Sequence, residues 1–387
     1  MKHLAARILL GTTTVSASLT GHAQWQPVGA VGNTYAIVAH QGALFAGNLG
    51  GPIRRSTDHG DTWTDVNTGI TEASNWWLSS AQGALFCGTQ FGPAFRSTDD
   101  GASWQDIGLS GARGFAVHND TLYACQWYGG QVDHSADGGL TWQDTEPISG
   151  SGGFWPLISA GGHLFAGGQS GGVHRISHSA EPWTASNNGL TSTEVYAFER
   201  MGDVLFAGTG NGGGVFRSDD LGATWTASGM SGSITYALHA VGGLLFAGTS
   251  GGGVHLSTDS GATWTPYTNG LTNLQVVRLT SDGVYLYAGT LGGGVFRDGL
   301  TLGQAEVEPT NAAEVTVFPV PAGDRAHVRW DGHSIVRYEL CTTVGALAQR
   351  GSPAAGDIPL DAVAPGAYVL KVEDANGHRR TVRLVRE

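Results

Sequence analysis

Large aromatic and acidic side chains hold most of this sequence's scope for chemistry. Five copies of Ser-x-Asp-x-Gly-x-x-Trp stand at Ser56–Trp63, Ser97–Trp104, Ser135–Trp142, Ser218–Trp225 and Ser257–Trp264. Their acids, Asp58, Asp99, Asp137, Asp220 and Asp259, sit in turn composition. Such a carboxylate accepts hydrogen bonds from turn amides, and the Gly after it takes positive φ. Trp63, Trp104, Trp142, Trp225 and Trp264 then anchor an outer strand. This is structural chemistry rather than catalysis. A second aromatic set lies off that position: Trp76, Trp77, Phe91, Trp127, Tyr128, Phe154 and Trp155. Rings gathered on one sector of a polar face can stack on sugars or on peptide side chains, so these seven are the candidate ligand-binding residues. They can equally fill gaps between irregular repeats. Glycoside hydrolysis needs two carboxyl groups within roughly 5–10 Å. The acids leading into inner strands are chiefly Glu72 and Glu194, three to four repeats apart, so no catalytic residue is assigned. The 14 His are scattered, no Cys-x-x-Cys occurs, and the Asp turns lack the carboxylate density of a calcium loop. Neither metal nor cofactor is expected.

The elements that position these residues repeat. Leu-aromatic-small-small recurs at Leu44, Leu85, Leu122, Leu164, Leu205, Leu245 and Leu286, spaced 41, 37, 42, 41, 40 and 41 residues. Each copy parses into four short strands, in the fifth roughly 194–199, 204–208, 214–218 and 225–228. Four strands per ~40 residues, repeated radially, make a β-propeller. The fourth copy keeps Trp183 but has Ile176, His178 and Ala180 at the Ser, Asp and Gly positions, so its turn must differ. The seventh stops after Val295-Phe296-Arg297 without a Trp strand. Trp25-Gln26-Pro27-Val28 matches Trp63-Thr64-Asp65-Val66 and supplies it, closing a ring of seven and removing exposed edges. The expected fold class is all-β: a seven-bladed propeller followed by a small immunoglobulin-like β-sandwich.

The Ser-x-Asp-x-Gly-x-x-Trp motif resembles the Asp-box, or BNR, repeat of the sialidase, sortilin and xyloglucanase-like propellers. The resemblance implies structural Asp residues and, in the sortilin-type and photosystem-assembly relatives, polypeptide binding without chemistry. Sialidases use an arginine triad, a Tyr-Glu pair and an acid. Here Arg54, Arg96, Arg175, Arg217 and Arg297 fall in third strands, and only Arg113 falls in a loop leading inward. Pro52-Ile53-Arg54-Arg55 does not reproduce the sialidase Arg-Ile-Pro signature. Xyloglucanase-like enzymes place paired carboxylates between two propellers, and one is present.

Both ends of the chain carry address signals. Residues 1–23 read as a signal peptide: Lys2 and Arg7, a weakly apolar stretch from Ile8 to Leu19, then Gly21-His22-Ala23. No run reaches the ~18 apolar residues of a membrane span. The repeats occupy 24–301 and a linker 302–313. Residues 314–387 alternate with period two between turns, as a β-sandwich does. Phe318-Pro319-Val320-Pro321, Gly366-Ala367-Tyr368 and Thr381-Val382-Arg383-Leu384-Val385-Arg386 make this segment similar to the type A C-terminal sorting domain of the type IX secretion system. That resemblance implies export across an outer membrane and surface attachment, with the type IX secretion machinery as a partner. Cys87, Cys125 and Cys341 are an odd number and are expected as free thiols. The repeats carry 21 acidic and nine basic residues, which disfavours nucleic acid. The expected function is non-catalytic recognition of a glycan or an extracellular protein. A glycoside hydrolase and a structural surface repeat are the alternatives.

Overall fold

The computed structural model describes residues 24–29, 32–71, 74–89, 92–127, 129–148, 152–300, 315–318, 324–330, 334–342, 347–353, 356–375 and 379–386. The signal segment, the linker, Glu72, Phe91 and Tyr128 lie outside them. Among the described residues none is helical. Seven four-stranded antiparallel sheets follow one another between residues 24 and 300, numbered here 1 to 7 in chain order.

Their first strands are Thr34–His40, Asn75–Ala81, Ala112–His118, Phe154–Ala160, Val195–Met201, Thr235–Val241 and Val276–Ser281. Each abuts the next, and the last returns to lie against the first. Repeated four-stranded sheets in this arrangement form a β-propeller. The Leu-aromatic-small-small run is the second strand of each sheet and is packed on both faces. Ala43–Asn48 and Ala84–Thr89 are buried at every position. Its glycines are steric requirements: a Cβ on Gly88 would stand 1.9 Å from the Ala112 carbonyl of sheet 3.

Sheet 7 takes its outermost strand from the other end of the chain. Gln26 pairs with Arg297 and Pro27 with Phe296. Trp25 is 3% exposed and its Nε1–H donates to the Tyr267 carbonyl of sheet 6 at 2.8 Å. A Trp burying ~200 Å² at ~25 cal/mol/Å² contributes at most about 5 kcal/mol to holding this strand.

The Asp turns share one hydrogen-bond pattern. At Asp58, Oδ1 accepts from Ser56 Oγ at 2.7 Å and from the Thr62 amide at 2.9 Å, while Oδ2 accepts from Thr62 Oγ1 at 2.6 Å. The Gly60 amide donates to Ser56 Oγ at 2.8 Å. Asp99, Asp137, Asp220 and Asp259 repeat this with their own Ser and Ser/Thr partners. Those bonds stabilise the ionised form and pull Asp58, Asp99 and Asp220 down to about 2. The anchor tryptophans latch each sheet to the one before it. Trp63 donates to the Val28 carbonyl at 2.8 Å, Trp104 to Val66 at 2.9 Å, Trp225 to Ser186 at 2.7 Å and Trp264 to Ser228 at 2.6 Å.

Two sheets depart from the pattern. In sheet 4 the substituted turn is held by a His178–Glu181 pair at 2.8 Å, and Trp183 latches to Thr145 Oγ1 at 3.0 Å. In sheet 3 the Trp142 Nε1 is buried with no acceptor among the described residues. The preceding sheet ends in a longer fourth strand, Gln105–Ser110, in place of the usual two residues.

Residues 315–386 form a three-stranded sheet (Val315–Phe318, Arg325–Trp330, Asp357–Pro359) and a four-stranded one. The latter runs Leu347–Gly351, Ile335–Thr342, Gly366–Asp374, Arg379–Arg386. Val328, Trp330, Leu340, Ile358, Leu370 and Leu384 share one core between them. The three cysteines are buried free thiols, and burial pushes Cys125 up to about 12.

Candidate binding site

Every first strand of the propeller carries a register shift near its start. The shifts fall between Thr34 and Ala36, Asn75 and Trp77, Ala112 and Gly114, Phe154 and Leu157, Val195 and Ala197, Thr235 and Ala237, and Val276 and Arg278. A bulge of this kind re-aims the extra residue away from the ladder. The residues so re-aimed are Tyr35, Trp76, Arg113, Trp155, Tyr196, Tyr236 and Val277. Repetition of one backbone feature therefore re-aims one side chain per sheet, and those of sheets 1 to 6 come into contact with their neighbours.

They meet as a continuous arc. Tyr35 stacks on Trp76 with centroids 4.6 Å apart and planes 16° from parallel. The Arg113 guanidinium lies 4.5 Å from the Trp76 ring centroid and 3.8 Å from that of Trp127. Trp127 meets Trp155 at 5.2 Å. Trp155 stacks on Tyr196 at 4.3 Å, and Tyr196 meets Tyr236 edge-on at 4.9 Å. Aromatic pairs and cation–π contacts of this kind each contribute about 0.5–2 kcal/mol beyond area burial. From sheet 7, Arg278 reaches past sheet 1, where the equivalent residue is only Ala36, and lies 4.1 Å from the Trp77 ring of sheet 2. Burial and the neighbouring Arg113 charge both pull Arg278 below an ordinary arginine, which is still cationic at neutral pH. Tyr196 donates its hydroxyl to Glu194 Oε1 at 2.7 Å, and burial followed by that carboxylate raises the phenol.

Of the sequence-derived aromatic residues, Trp76, Trp127 and Trp155 lie together in the arc, with Trp77 beside it under Arg278. Phe154 is 0% exposed and meets His174 edge-on at 6.1 Å, so its ring offers no face to a ligand. Its bulge turns Trp155 toward the arc and Phe154 into the core. Phe91 and Tyr128 lie outside the described residues. Arg113 is not in a loop: it stands inside the first strand of sheet 3, 4% exposed, where the bulge swings it between two indoles. Sequence reasoning misses Tyr35, Tyr196, Tyr236 and Arg278. The signal exists, since Thr34-Tyr35-Ala36, Val195-Tyr196-Ala197 and Thr235-Tyr236-Ala237 align in the repeat.

Other polar residues do not gather in this way. His174 and His178 have His-x-x-x-His spacing. His174 is on a buried strand and His178 in the following turn, paired to Glu181. Among the described residues no group of three metal-binding side chains forms. His40–Ser80, His118–Ser159 and His239–Ser281 bonds of 2.7, 2.9 and 2.8 Å link sheets 1–2, 3–4 and 6–7 as latches.

No protein-family profile matches the sequence, and no curated protein matches it. Solved structures do. PorZ, an essential bacterial surface component of the type-IX secretion system of Porphyromonas gingivalis, is 15% identical with a TM-score of 0.56. The match covers 92% of this chain, which spans only 59% of that one. YCF48 from Cyanidioschyzon merolae is 16% identical with a TM-score of 0.55, over 72% of this chain and 98% of that one. Virginiamycin B lyase from Staphylococcus aureus is 14% identical with a TM-score of 0.62, over 72% and 99% respectively. At these identities the likeness is one of fold, and the fold is the β-propeller.

Proposed function

We propose that this chain is a secreted or surface-attached recognition protein that holds a segment of an extracellular protein at the aromatic arc. On this reading residues 24–301 are one closed seven-bladed Asp-box propeller, and residues 1–23 direct export. Residues 314–387 are an immunoglobulin-like sorting module read by the type IX secretion machinery. The single observation that carries the reading is the arc: one bulged side chain per sheet from sheet 1 to sheet 6, each meeting its neighbours. Each bulge interrupts ladder hydrogen bonding locally, and such features are over-represented beside functional sites.

The packing within the arc favours polypeptide over glycan. Trp76 has Tyr35 stacked on its ring and the Arg113 guanidinium over it, and Trp155 has Tyr196 stacked on its ring and Trp127 beside it. Sugar binding by stacking needs open ring faces, whereas ring edges, hydroxyls and guanidinium groups suit peptide groups. YCF48, a propeller of the same fold, has been solved bound to D1 peptide, which supports peptide binding as something this architecture accommodates.

A second reading, glycoside hydrolysis, is favoured by one contact, the Tyr196–Glu194 hydrogen bond inside the arc. Both readings are tested by presenting the full chain with a peptide array and a glycan array. Wild type runs beside Tyr196→Ala and beside Thr184→Ala, an exposed outer-strand control. Retained peptides, lost in Tyr196→Ala alone and with no product formed, are the expected result. Sugar release abolished by Glu194→Gln overturns recognition in favour of hydrolysis.

A further inference from the structure

The leucine of each second strand faces a fixed register position on the third. Leu44, Leu85, Leu122, Leu205 and Leu245 pair with Ser56, Ser97, Ser135, Ser218 and Ser257, the buried serines that open the Asp turns. In sheet 7 the same register puts Leu286 opposite Asp298, a carboxylate 6% exposed. No Asp turn follows there, because the outer strand of that sheet is Gln26–Pro27 from the other end of the chain. Asp298 meets that end directly. Its Oδ1 accepts from the Gln24 backbone nitrogen at 2.8 Å, and its Oδ2 accepts from the Tyr267 hydroxyl of sheet 6. Gln24 precedes Trp25 as Thr62 precedes Trp63, and the Thr62 amide likewise donates to Asp58. The difference is solvation. Asp99, Asp137, Asp220 and Asp259 are exposed, so water carries their charge. Asp298 is buried, and a buried carboxylate is expensive unless a cation pairs with it. Its chain neighbour Arg297 is committed to Asp61 at 2.8 Å, and among the described residues no Arg, Lys or His side chain pairs with Asp298.

We infer that hydrolysis of the Ala23–Gln24 bond frees an α-ammonium that serves as the counterion of Asp298, so that processing completes the closure of the ring. This rests on the reading of residues 1–23 as an export signal and gives their removal a structural consequence. Water adds across the peptide bond; Ala23 leaves with the carboxylate, and Gln24 keeps the nitrogen, which is largely protonated at neutral pH. The amide contact to Asp298 then becomes a hydrogen bond charged on both sides, the stronger kind. It joins the chain start to sheet 7 and, through Tyr267, to sheet 6. The position of the cut matters. A cut after Gln24 would put the charge on the Trp25 nitrogen, which donates to the Asn269 carbonyl at 3.0 Å and not to an acid. An N-terminal glutamine can also cyclise, its amine attacking the side-chain amide carbon and expelling ammonia. An ammonium held by Asp298 has no lone pair for that attack, so Gln24 stays open.

The test expresses the full chain with its own leader in a bacterium that exports it, and begins with the mass of the N-terminal peptide. With residues 1–23 gone, the amines are the Gln24 terminus and the exposed Lys371. Both are acylated with a small amine reagent across a range of pH, folded and denatured, and each site is read by peptide mass. Only the free amine reacts. Pairing with Asp298 holds the terminus protonated, an effect complete below its ordinary value near 8 and lost as pH rises through the raised one. Tyr267, the other titratable group at this place, is raised by burial and then by Asp298, so it stays a neutral donor over this range. The expected result is a free Gln24 that labels at least about tenfold more slowly at pH 7 in the folded chain than in the denatured one. That gap should close in alkali and shrink in Asp298→Asn, with Lys371 as the reference. The wild-type comparison carries the test even if that variant does not fold. A gap that persists at every pH means occlusion without charge and overturns the inference, as does no gap at all. A chain that starts elsewhere, or a cyclised Gln24, also overturns it and leaves the export reading standing. An exported chain that still carries residues 1–23 overturns both.

Discussion

Trp225→Phe and Trp142→Phe are the same substitution at the same repeat position, yet the structure predicts different costs. Trp225 is 2% exposed, packs with Phe165 and Phe216, and donates to the Ser186 carbonyl at 2.7 Å. Phenylalanine keeps most of the ring and removes the donor, leaving a buried carbonyl short of its partner at about 1–3 kcal/mol. The trimmed ring adds about 1 kcal/mol of cavity cost. Trp142 packs against Phe115 but its Nε1 has no acceptor among the described residues, so only the second cost applies. Trp225→Phe should therefore be less stable than Trp142→Phe by about 1–3 kcal/mol. At about 2–4 °C per kcal/mol for a domain of this size, that is roughly 2–12 °C in Tm. Scanning calorimetry on the full chain resolves this, because it follows the propeller transition apart from any separate unfolding of residues 315–386. Equal losses in the two variants would refute the idea that the indole N–H latches adjacent sheets.

Removing residues 24–29 should expose the edge of Gly294–Gly299, lower the melting temperature by several degrees and promote concentration-dependent association visible by light scattering. Asp133 is buried on the third strand of sheet 3 opposite Asp144, and burial first, then that neighbour, raises it to about 7. An acid raised on folding contributes stability that is complete below its unfolded value near 4 and is lost as pH rises through 7. Wild type should thus lose Tm relative to Asp133→Asn as pH rises from 4 to 8, because the variant lacks this acid. Asp58 runs the opposite way: lowered to about 2 by its turn bonds, its contribution is present above pH 4 and lost as pH falls through 2. Asp58→Ala should accordingly be destabilised at pH 7 and converge with wild type in acid. Native Cys87 and Cys125 should resist a thiol reagent until the chain is denatured, since both are 0% exposed.

How much of this is legible in the sequence depends on whether a feature repeats in residue type or only in backbone geometry. The period of ~40 residues and the Asp turns repeat in type, so the four-stranded sheets can be read directly. Trp25-Gln26-Pro27-Val28 can be matched to its sisters for the same reason, and the structure pairs it with the last sheet. The bulges repeat only in geometry. Tyr35, Tyr196 and Tyr236 share a Tyr-Ala pair, but Trp, Arg, Trp and Val hold the same aligned position in the other sheets, so residue type alone does not unite all seven. Looking for off-repeat aromatic residues finds three members of the arc but also takes in Phe154, whose neighbour Trp155 is the one that packs into the arc. Arg278 is hidden for a different reason: its contact with Trp77 bridges two sheets separated by a third, a consequence of ring closure that no local pattern encodes. The covered state of the indole faces, which argues for peptide over sugar, is likewise visible only in three dimensions.

Hydroxyl-radical footprinting of the full chain, with and without a peptide retained on the array, tests the central claim most directly. The claim predicts protection of Tyr35, Trp76, Trp127, Tyr196 and Tyr236 together, with the outer-strand Trp63 and Trp264 unchanged. Protection confined to outer strands or to residues 315–386, with the arc as reactive as in the free chain, would contradict it.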